Sequence, residues 1–352
     1  MSDTIHISAN EIREAARGLL AAQVGGGARG EALWSAMLDA GWLALGVSEQ
    51  FGGLGQPFSL ATALLEELGR KPSAQPLIAA MAGTRMLDLL AAAGHSIARD
   101  LLGEALAGRA VVVCGPLNAA AQAVTMGDIA HAAVATHLVL AANCPERGEL
   151  VLLLDLRHPA VHVESLAGWD ATRQMAAVTL SAPLVDAAMV IETGFQPGRI
   201  AASGAALLDL GIASDSLGGA QQVLELTVAY MKQRIQFGRP IATFQALKHR
   251  SADLATELAA ARALLARACA AYDADSPAAT QLAAMARLAA GTTYLTVSEE
   301  AIQMHGGIGF TWEHVCHHYL KRARSAETIG GTRAERIDRV ADALLREIRV
   351  CA

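Results

Sequence analysis

The chain is poor in aromatic residues, in charge and in paired cysteines, and each shortage closes off a class of protein. Aromatic side chains are 4% of its 352 residues and charged ones 18%. Alanine fills the helical-looking stretches instead, which favours helices packed closely through small side chains. No block of lysine and arginine stands out and the formal net charge is −6, so a nucleic-acid partner is not expected. The five cysteines, Cys114, Cys144, Cys269, Cys316 and Cys351, are odd in number and contain no CxxC pair. They read as reduced thiols, neither a disulfide framework nor a zinc site. The start of the chain lacks a basic segment followed by an apolar one, so no signal peptide is expected. No run of about eighteen uncharged apolar residues offers a membrane span. A cytoplasmic protein without membrane insertion is the expectation.

What remains is 53% hydrophobic, enough for a sizeable core, over a length that implies two or three domains. Residues 1–112 look helical, with suitable spacing in Glu11–Ala22, Leu33–Ala40, Leu60–Leu68 and Leu87–Ala93. Residues 113–195 carry short Val- and Leu-rich runs between polar or Pro/Gly breaks, the pattern of a small β barrel or sandwich. Residues 196–352 return to long helices. Leu247, Leu254, Leu258 and Leu265 share one helical face, as do Leu282, Met285, Leu288 and Leu295. Ile337, Val340, Leu344, Leu345 and Ile348 form a third stripe. The expected architecture is α+β: helical domain, β domain, four-helix bundle.

Several motifs carry possible chemistry. Gly25–Gly30 matches GxGxxG, but no strand precedes it, so it reads as a turn between helices. Arg234-Ile235-Gln236-Phe237-Gly238-Arg239-Pro240 closes a long helix, and Phe244-Gln245 opens the next. Arg234 is either a basic helix terminus or a planar fork of donors for a phosphate. Gln303-Met304-His305-Gly306-Gly307 ends another helix with a glycine turn that a ligand could approach closely. Thr332 and Glu335 form a T-x-x-E capping box after Gly330-Gly331. Glu313-His314 and His317-His318 have metal-compatible spacing, yet adjacent surface imidazoles are more often solvated. No metal is expected.

In order and spacing, RIQFGRPIATFQALKHRSADL, AIQMHGGIGFTWEH and ETIGGTRAERI resemble the C-terminal domain of acyl-CoA dehydrogenases. LWSAMLDAGWLALGVSEQFGGLGQPFSLATALLEELGR resembles that family's first domain, and GWDATRQMAAVTL its middle domain. The short chain looks like subunits of bacterial heteromeric steroid or acyl-CoA dehydrogenases. The resemblance implies an α–β–α flavoprotein of lipid metabolism, forming homo- or hetero-oligomers. It would bind FAD, oxidise an acyl-CoA between its α and β carbons, and pass electrons to an electron-transferring flavoprotein. It further implies FAD contacts from Arg234, Phe237, Gln245, Gln303, Gly306 and Gly307 toward a neighbouring subunit, and from Thr332 toward the subunit's own cofactor.

Two departures accompany the resemblance. The family's catalytic glutamate falls at Gly330, and the alternative base position of some members falls at Leu208. The stretch Pro116–Asp128 lacks the family's usual flavin-contacting motif. Asp215 and Asp209 lie near Leu208 on the same expected helix and are the candidate replacement bases, provided burial raises a carboxyl toward neutrality. Three readings follow. One is a dehydrogenase of a bulky or unusual acyl-CoA. Another is a non-catalytic subunit completing a partner's FAD site. The weakest is a reductase or monooxygenase on the same scaffold.

Overall fold

The computed structural model describes residues 8–23, 30–187, 189–191 and 197–351. Most of the Gly25–Gly30 segment lies outside them. The first region holds helices α1 (Ala9–Gln23), α2 (Gly30–Asp39), α3 (Phe58–Arg70), α4 (Leu77–Ala92) and α5 (Ser96–Leu106). Leu64, Leu65 and Leu68 of α3 are buried at helical spacing. Helix α4 is buried on almost every side, packed against α5, α7 (Pro197–Gln233) and strand β1 (Val112–Cys114).

Two sheets follow. In the first, β4 (His137–Cys144) pairs antiparallel with β5 (Gly148–Asp155), which pairs with β8 (Met189–Ile191). On its other edge β4 runs parallel to β1 and then to β2 (Ala119–Ala120). The second sheet is antiparallel, with β7 (Met175–Leu180) between β3 (Thr125–Ala130) and β6 (Val161–Leu166). A four-residue helix, α6 (Leu184–Ala187), leads into β8.

The last region is helical: α7, α8 (Gln245–Asp273), α9 (Ala279–His305), α10 (Cys316–Ala326) and α11 (Arg333–Cys351). A small hairpin, β9 (Ile235–Gln236) and β10 (Arg239–Pro240), joins α7 to α8. The expected order of helices, strands and helices is what the chain adopts. Helix α7 is long and apolar enough to cross a membrane on length and composition, but 83% of that window is buried inside the fold. It is the central strut. At its crossing with α3 the backbones touch: a Cβ on Gly69 would lie 1.9 Å from the Asp215 carbonyl oxygen, and one on Gly218 1.9 Å from that of Glu66.

Two of the three apolar stripes are not the buried faces. On α9 the core is made by Ala283, Ala286, Ala290, Tyr294, Val297 and Ala301, while Leu282, Met285, Leu288 and Leu295 are half-buried beside it. Small side chains let α9 approach α7, so alanines take the centre of the contact. On α11, Ile337, Leu344 and Leu345 are exposed and Val340 is half-buried, and the inward residue is Arg336. The side chain of Ile348 is outside the described part.

Candidate functional site

At one end of the bundle, two chain turns meet. Helix α7 ends in the hairpin, whose two central residues, Phe237 and Gly238, have φ of 53° and 74°. That is the positive-φ pair of a tight two-residue hairpin, with Gln236 opposite Arg239. The Phe237 ring is 91% exposed at its tip. Helix α8 begins at Gln245 and lies antiparallel to α9, to which Arg250 is tied by a 2.8 Å ion pair with Glu300. Tyr230 of α7 stacks on His305, the last residue of α9, with ring centroids 4.4 Å apart. The structure therefore gathers Arg234, Phe237, Gln245, Gln303, Gly306 and Gly307 at one end of the molecule, all exposed. Nothing lies within 4 Å of the Cβ positions of Gly306 and Gly307, so another backbone or ligand has room to approach.

Thr332 is not among them. It opens α11, whose Arg336 reaches Asp209, and Asp209 stands about 30 Å along α7 from Tyr230 at ~1.5 Å per residue. Its capping box is complete. The Thr332 amide and hydroxyl donate to Glu335 Oε2 at 2.6 and 3.0 Å, and the Glu335 amide donates back to the Thr332 hydroxyl at 3.2 Å.

The same turn brings together the two positions at which the resemblance looks for a base. Gly330 has φ of 72°, and a Cβ there would lie 2.7 Å from Leu208 Cδ2. Two positions far apart in sequence thus touch in space, and neither bears a proton acceptor. Behind them Arg336 donates through Nε to Asp209 Oδ1 at 3.0 Å and through Nη1 to the Glu327 and Gly331 carbonyls at 3.1 and 2.8 Å. It also donates to the Ile329 carbonyl, and Arg287 donates to that of Ala326. These guanidinia satisfy carbonyls at the C-terminal end of α10, where the helix dipole favours positive charge.

Asp209 and Asp215 are not free bases. Asp209 is 3% exposed and faces Arg336, Arg287 and Arg339. Asp215 is fully buried, with Arg173 Nη2 at 2.5 Å from Oδ2 and Arg322 Nη2 at 2.6 Å from Oδ1. Burial alone would raise its pKa, but the Arg173 and Arg322 charges together outweigh burial and hold it below the ordinary carboxylate value. The expected upward shift is therefore reversed. Arg322 also donates to Thr172 Oγ1 at 2.7 Å and to the Ser73 carbonyl at 3.3 Å. Asp170 accepts from Thr172 and from Ser325 of α10. The resulting clasp ties α7 and α10 to the β region and to the loop before α4.

His131 lies against this clasp, buried, with φ of 62°. Burial, reinforced by the Arg173 and Arg322 charges, lowers its pKa to about 3. Sequence reasoning singled out none of Arg173, Arg287, Arg322 or Arg336. The available signal was Arg287, a charge set among Ala283, Ala286 and Ala290 on an otherwise apolar face.

A cavity of about 340 Å³ opens between the first helical region and the bundle, lined among others by Leu43, Phe58, Met81, Arg85, Leu207 and Tyr272. The Arg85 guanidinium reaches Asp88 at 3.2 Å and Ser203 at 3.3 Å.

The pattern of the acyl-CoA dehydrogenase N-terminal domain matches residues 8–108, and that of the C-terminal domain residues 190–345. The chain is 38% identical to acyl-CoA dehydrogenase IpdE2 of Mycobacterium tuberculosis over 84% of its own length and 81% of that protein's. With IpdE2 of Mycolicibacterium smegmatis the identity is 34%, over 88% and 86%. Among solved structures, a Tcur3481–Tcur3483 steroid ACAD variant superposes with a TM-score of 0.84 at 24% identity, covering 97% of this chain and 98% of that one. The ChsE4–ChsE5 complex of Mycobacterium tuberculosis gives 0.82 at 24% identity over 97% and 99%. These structural likenesses speak to the fold. The matched domain patterns and the IpdE2 identities go further, and the chain belongs to the acyl-CoA dehydrogenase family of oxidoreductases.

Proposed function

We propose that this chain is the cofactor-completing subunit of a heteromeric acyl-CoA dehydrogenase and does not itself remove the substrate proton. The observation that carries this reading is the contact between Gly330 and Leu208, two base positions without a base, backed by Asp209 and Asp215 already neutralised by arginines. FAD, where bound, supplies the acceptor for the hydride that leaves the acyl β-carbon. This chain's contribution is positional. Arg234 offers a planar fork to the diphosphate of the partner subunit's FAD, and Gln245 and Gln303 add amide donors beside the open glycine turn. Those residues fit the task because they are exposed and lie at one end of the bundle. The exposed Ile337, Leu344 and Leu345 of α11 would be covered in the oligomer.

The chain's own β region is less suited to hold a flavin. Ala119, Ala120, Ala121 and Ala123 dominate the stretch where the resemblance expects hydroxyl and carboxylate contacts. Thr332, for its part, is engaged with Glu335. The likeness to the ChsE4–ChsE5 complex and to a steroid ACAD named for two proteins supports a heteromeric assembly. The substrate would be an acyl-CoA, and the electrons would leave through an electron-transferring flavoprotein.

A second reading, turnover by this chain on a bulky acyl-CoA, is favoured by the cavity of about 340 Å³ beside Leu207. The visible spectrum separates the two. Purified alone, the chain should be colourless, and it should form a yellow complex with a second acyl-CoA dehydrogenase subunit encoded nearby. A yellow homo-oligomer that bleaches with an acyl-CoA would sink the first reading in favour of the second.

A further inference from the structure

The turn between α9 and α10 has a second chemical possibility, independent of the function proposed above. His305 ends α9, Cys316 begins α10, and His314 sits in the loop between them. One ligand atom from each of the three lies within 4.8 Å of the others. Cys316 Sγ is 3.6 Å from His305 Nδ1. Two ligands of one tetrahedral zinc ion, with Zn–S near 2.3 Å and Zn–N near 2.0 Å, stand about 3.6 Å apart. The His305 and His314 ring centroids are 4.3 Å apart, with the ring planes tilted by 51°. His305 Nδ1 also lies 2.7 Å from the Ala301 carbonyl oxygen. Ligation through Nε2 keeps that contact as the orienting bond that ligand histidines commonly make, and ligation through Nδ1 replaces it.

We propose that His305, His314 and Cys316 bind one borderline transition-metal ion, Zn²⁺ or its congeners Co²⁺ and Ni²⁺. Two imidazoles and a thiolate suit such ions and not the oxygen-seeking Mg²⁺ or Ca²⁺. On binding, the Cys316 thiol releases its proton to solvent and sulfur bonds to the metal. Three protein ligands leave a fourth position for water, and the half-buried His314 marks the side of entry. The sequence pairs His314 with Glu313 and points to His317 and His318, but those two imidazoles pack against each other, and His317 against Trp312. The ion would staple the base of the loop that carries Ile308, Phe310 and Trp312, which are 47%, 80% and 81% exposed. It would thereby fix the orientation of that apolar surface.

Cobalt titration of the chelator-treated full-length chain tests this directly. Co²⁺ should produce a thiolate-to-cobalt charge-transfer band that saturates at one ion per chain and disappears when Zn²⁺ is added. Cys316→Ser should abolish the band, and His314→Asn should weaken binding by about 100-fold, no less than loss of an outer-shell partner costs. Cys269→Ser and His318→Asn should leave it unchanged. Hydrogen exchange of residues 306–315 should slow with the metal. A folded wild-type chain without the band overturns the proposal on its own, whether or not the variants fold, and so does a band that survives in Cys316→Ser.

Discussion

The two ends of the α7–α9 pair differ in what their polar groups face. Near Leu208 and Gly330 the buried charged side chains are paired with one another: Asp209 with Arg336, Asp215 with Arg173 and Arg322. Beyond Tyr230 and the buried His305, Arg234, Gln245 and Gln303 are exposed. A buried guanidinium is tolerated only when paired or hydrogen-bonded, so the inward groups are committed to the fold. Exposed ones keep their donors for something outside the chain. The closed end thus holds the regions together, and the open end is where the proposed cofactor contact would be made.

The most severe way to break this contrast is to remove Asp215. Asp215→Ala removes the carboxylate that bridges two buried guanidinia, a loss of about 3–5 kcal/mol. Denaturant unfolding should register a collapse of stability, or the variant should fail to accumulate. A variant as stable as the parent would mean the clasp is not structural, and Asp215 would return as a candidate base.

His131 probes the same end by pH. Its folded pKa, about 3, lies below the ordinary 6.5, so as pH falls below 6.5 the unfolded chain takes a proton that the native one refuses. Stability is full above pH 6.5 and declines toward pH 3, by about 3 kcal/mol at pH 4 as an upper bound. Asn tolerates the left-handed backbone at this position, so His131→Asn should fold and flatten that part of the profile. An unchanged slope would place the acid sensitivity elsewhere, with the buried carboxylates.

At the open end, Arg234→Ala should leave the melting temperature of the chain unchanged, because the side chain is exposed. In the assembled enzyme it should weaken FAD retention by about 10- to 100-fold, the worth of a charge-assisted hydrogen bond of ~1.5–3 kcal/mol. Equilibrium flavin release measures this. If retention is unaffected, the open end does not meet a diphosphate.

The order of the elements and the residues of the open end were legible in the sequence, and the rest was not, for physical reasons that differ from place to place. The order of helices and strands follows from apolar period and from turn residues, which are local. Gathering Arg234, Gln245 and Gln303 needed only the resemblance and antiparallel helices. The buried faces of α9 and α11 were misread because the leucine and isoleucine stripes are the louder signal, whereas packing against α7 selects alanine and the Asp209 network selects Arg336. Strand β3 escaped notice because its sequence, TMGDIA, carries a glycine, an aspartate at positive φ and a register shift between Met126 and Ile129. The clasp was invisible for a different reason. Its members, Arg173, Asp215 and Arg322, come from three elements, and no pattern along the chain records their meeting.

The smallest effect falls at Thr332, beside Gly330 at the closed end, and it discriminates best between a cap and a cofactor contact. As a cap, Thr332 accepts from the Glu335 amide while Glu335 accepts from the Thr332 amide and hydroxyl. Those two hydrogen bonds to Thr332, the amide first, hold the Glu335 carboxyl below its ordinary 4.5. The stability they add is present above pH 4.5 and fades as pH falls through the lowered folded value. Thr332→Ala should therefore cost about 1 kcal/mol at neutral pH and less in acid. Thr332→Ser keeps the hydroxyl and should restore most of it. If Thr332 were instead a flavin ligand of its own subunit, Thr332→Ala would release FAD from a chain that binds it. On the present geometry the substitution lowers the midpoint of unfolding slightly and leaves the flavin content of the assembly as it was.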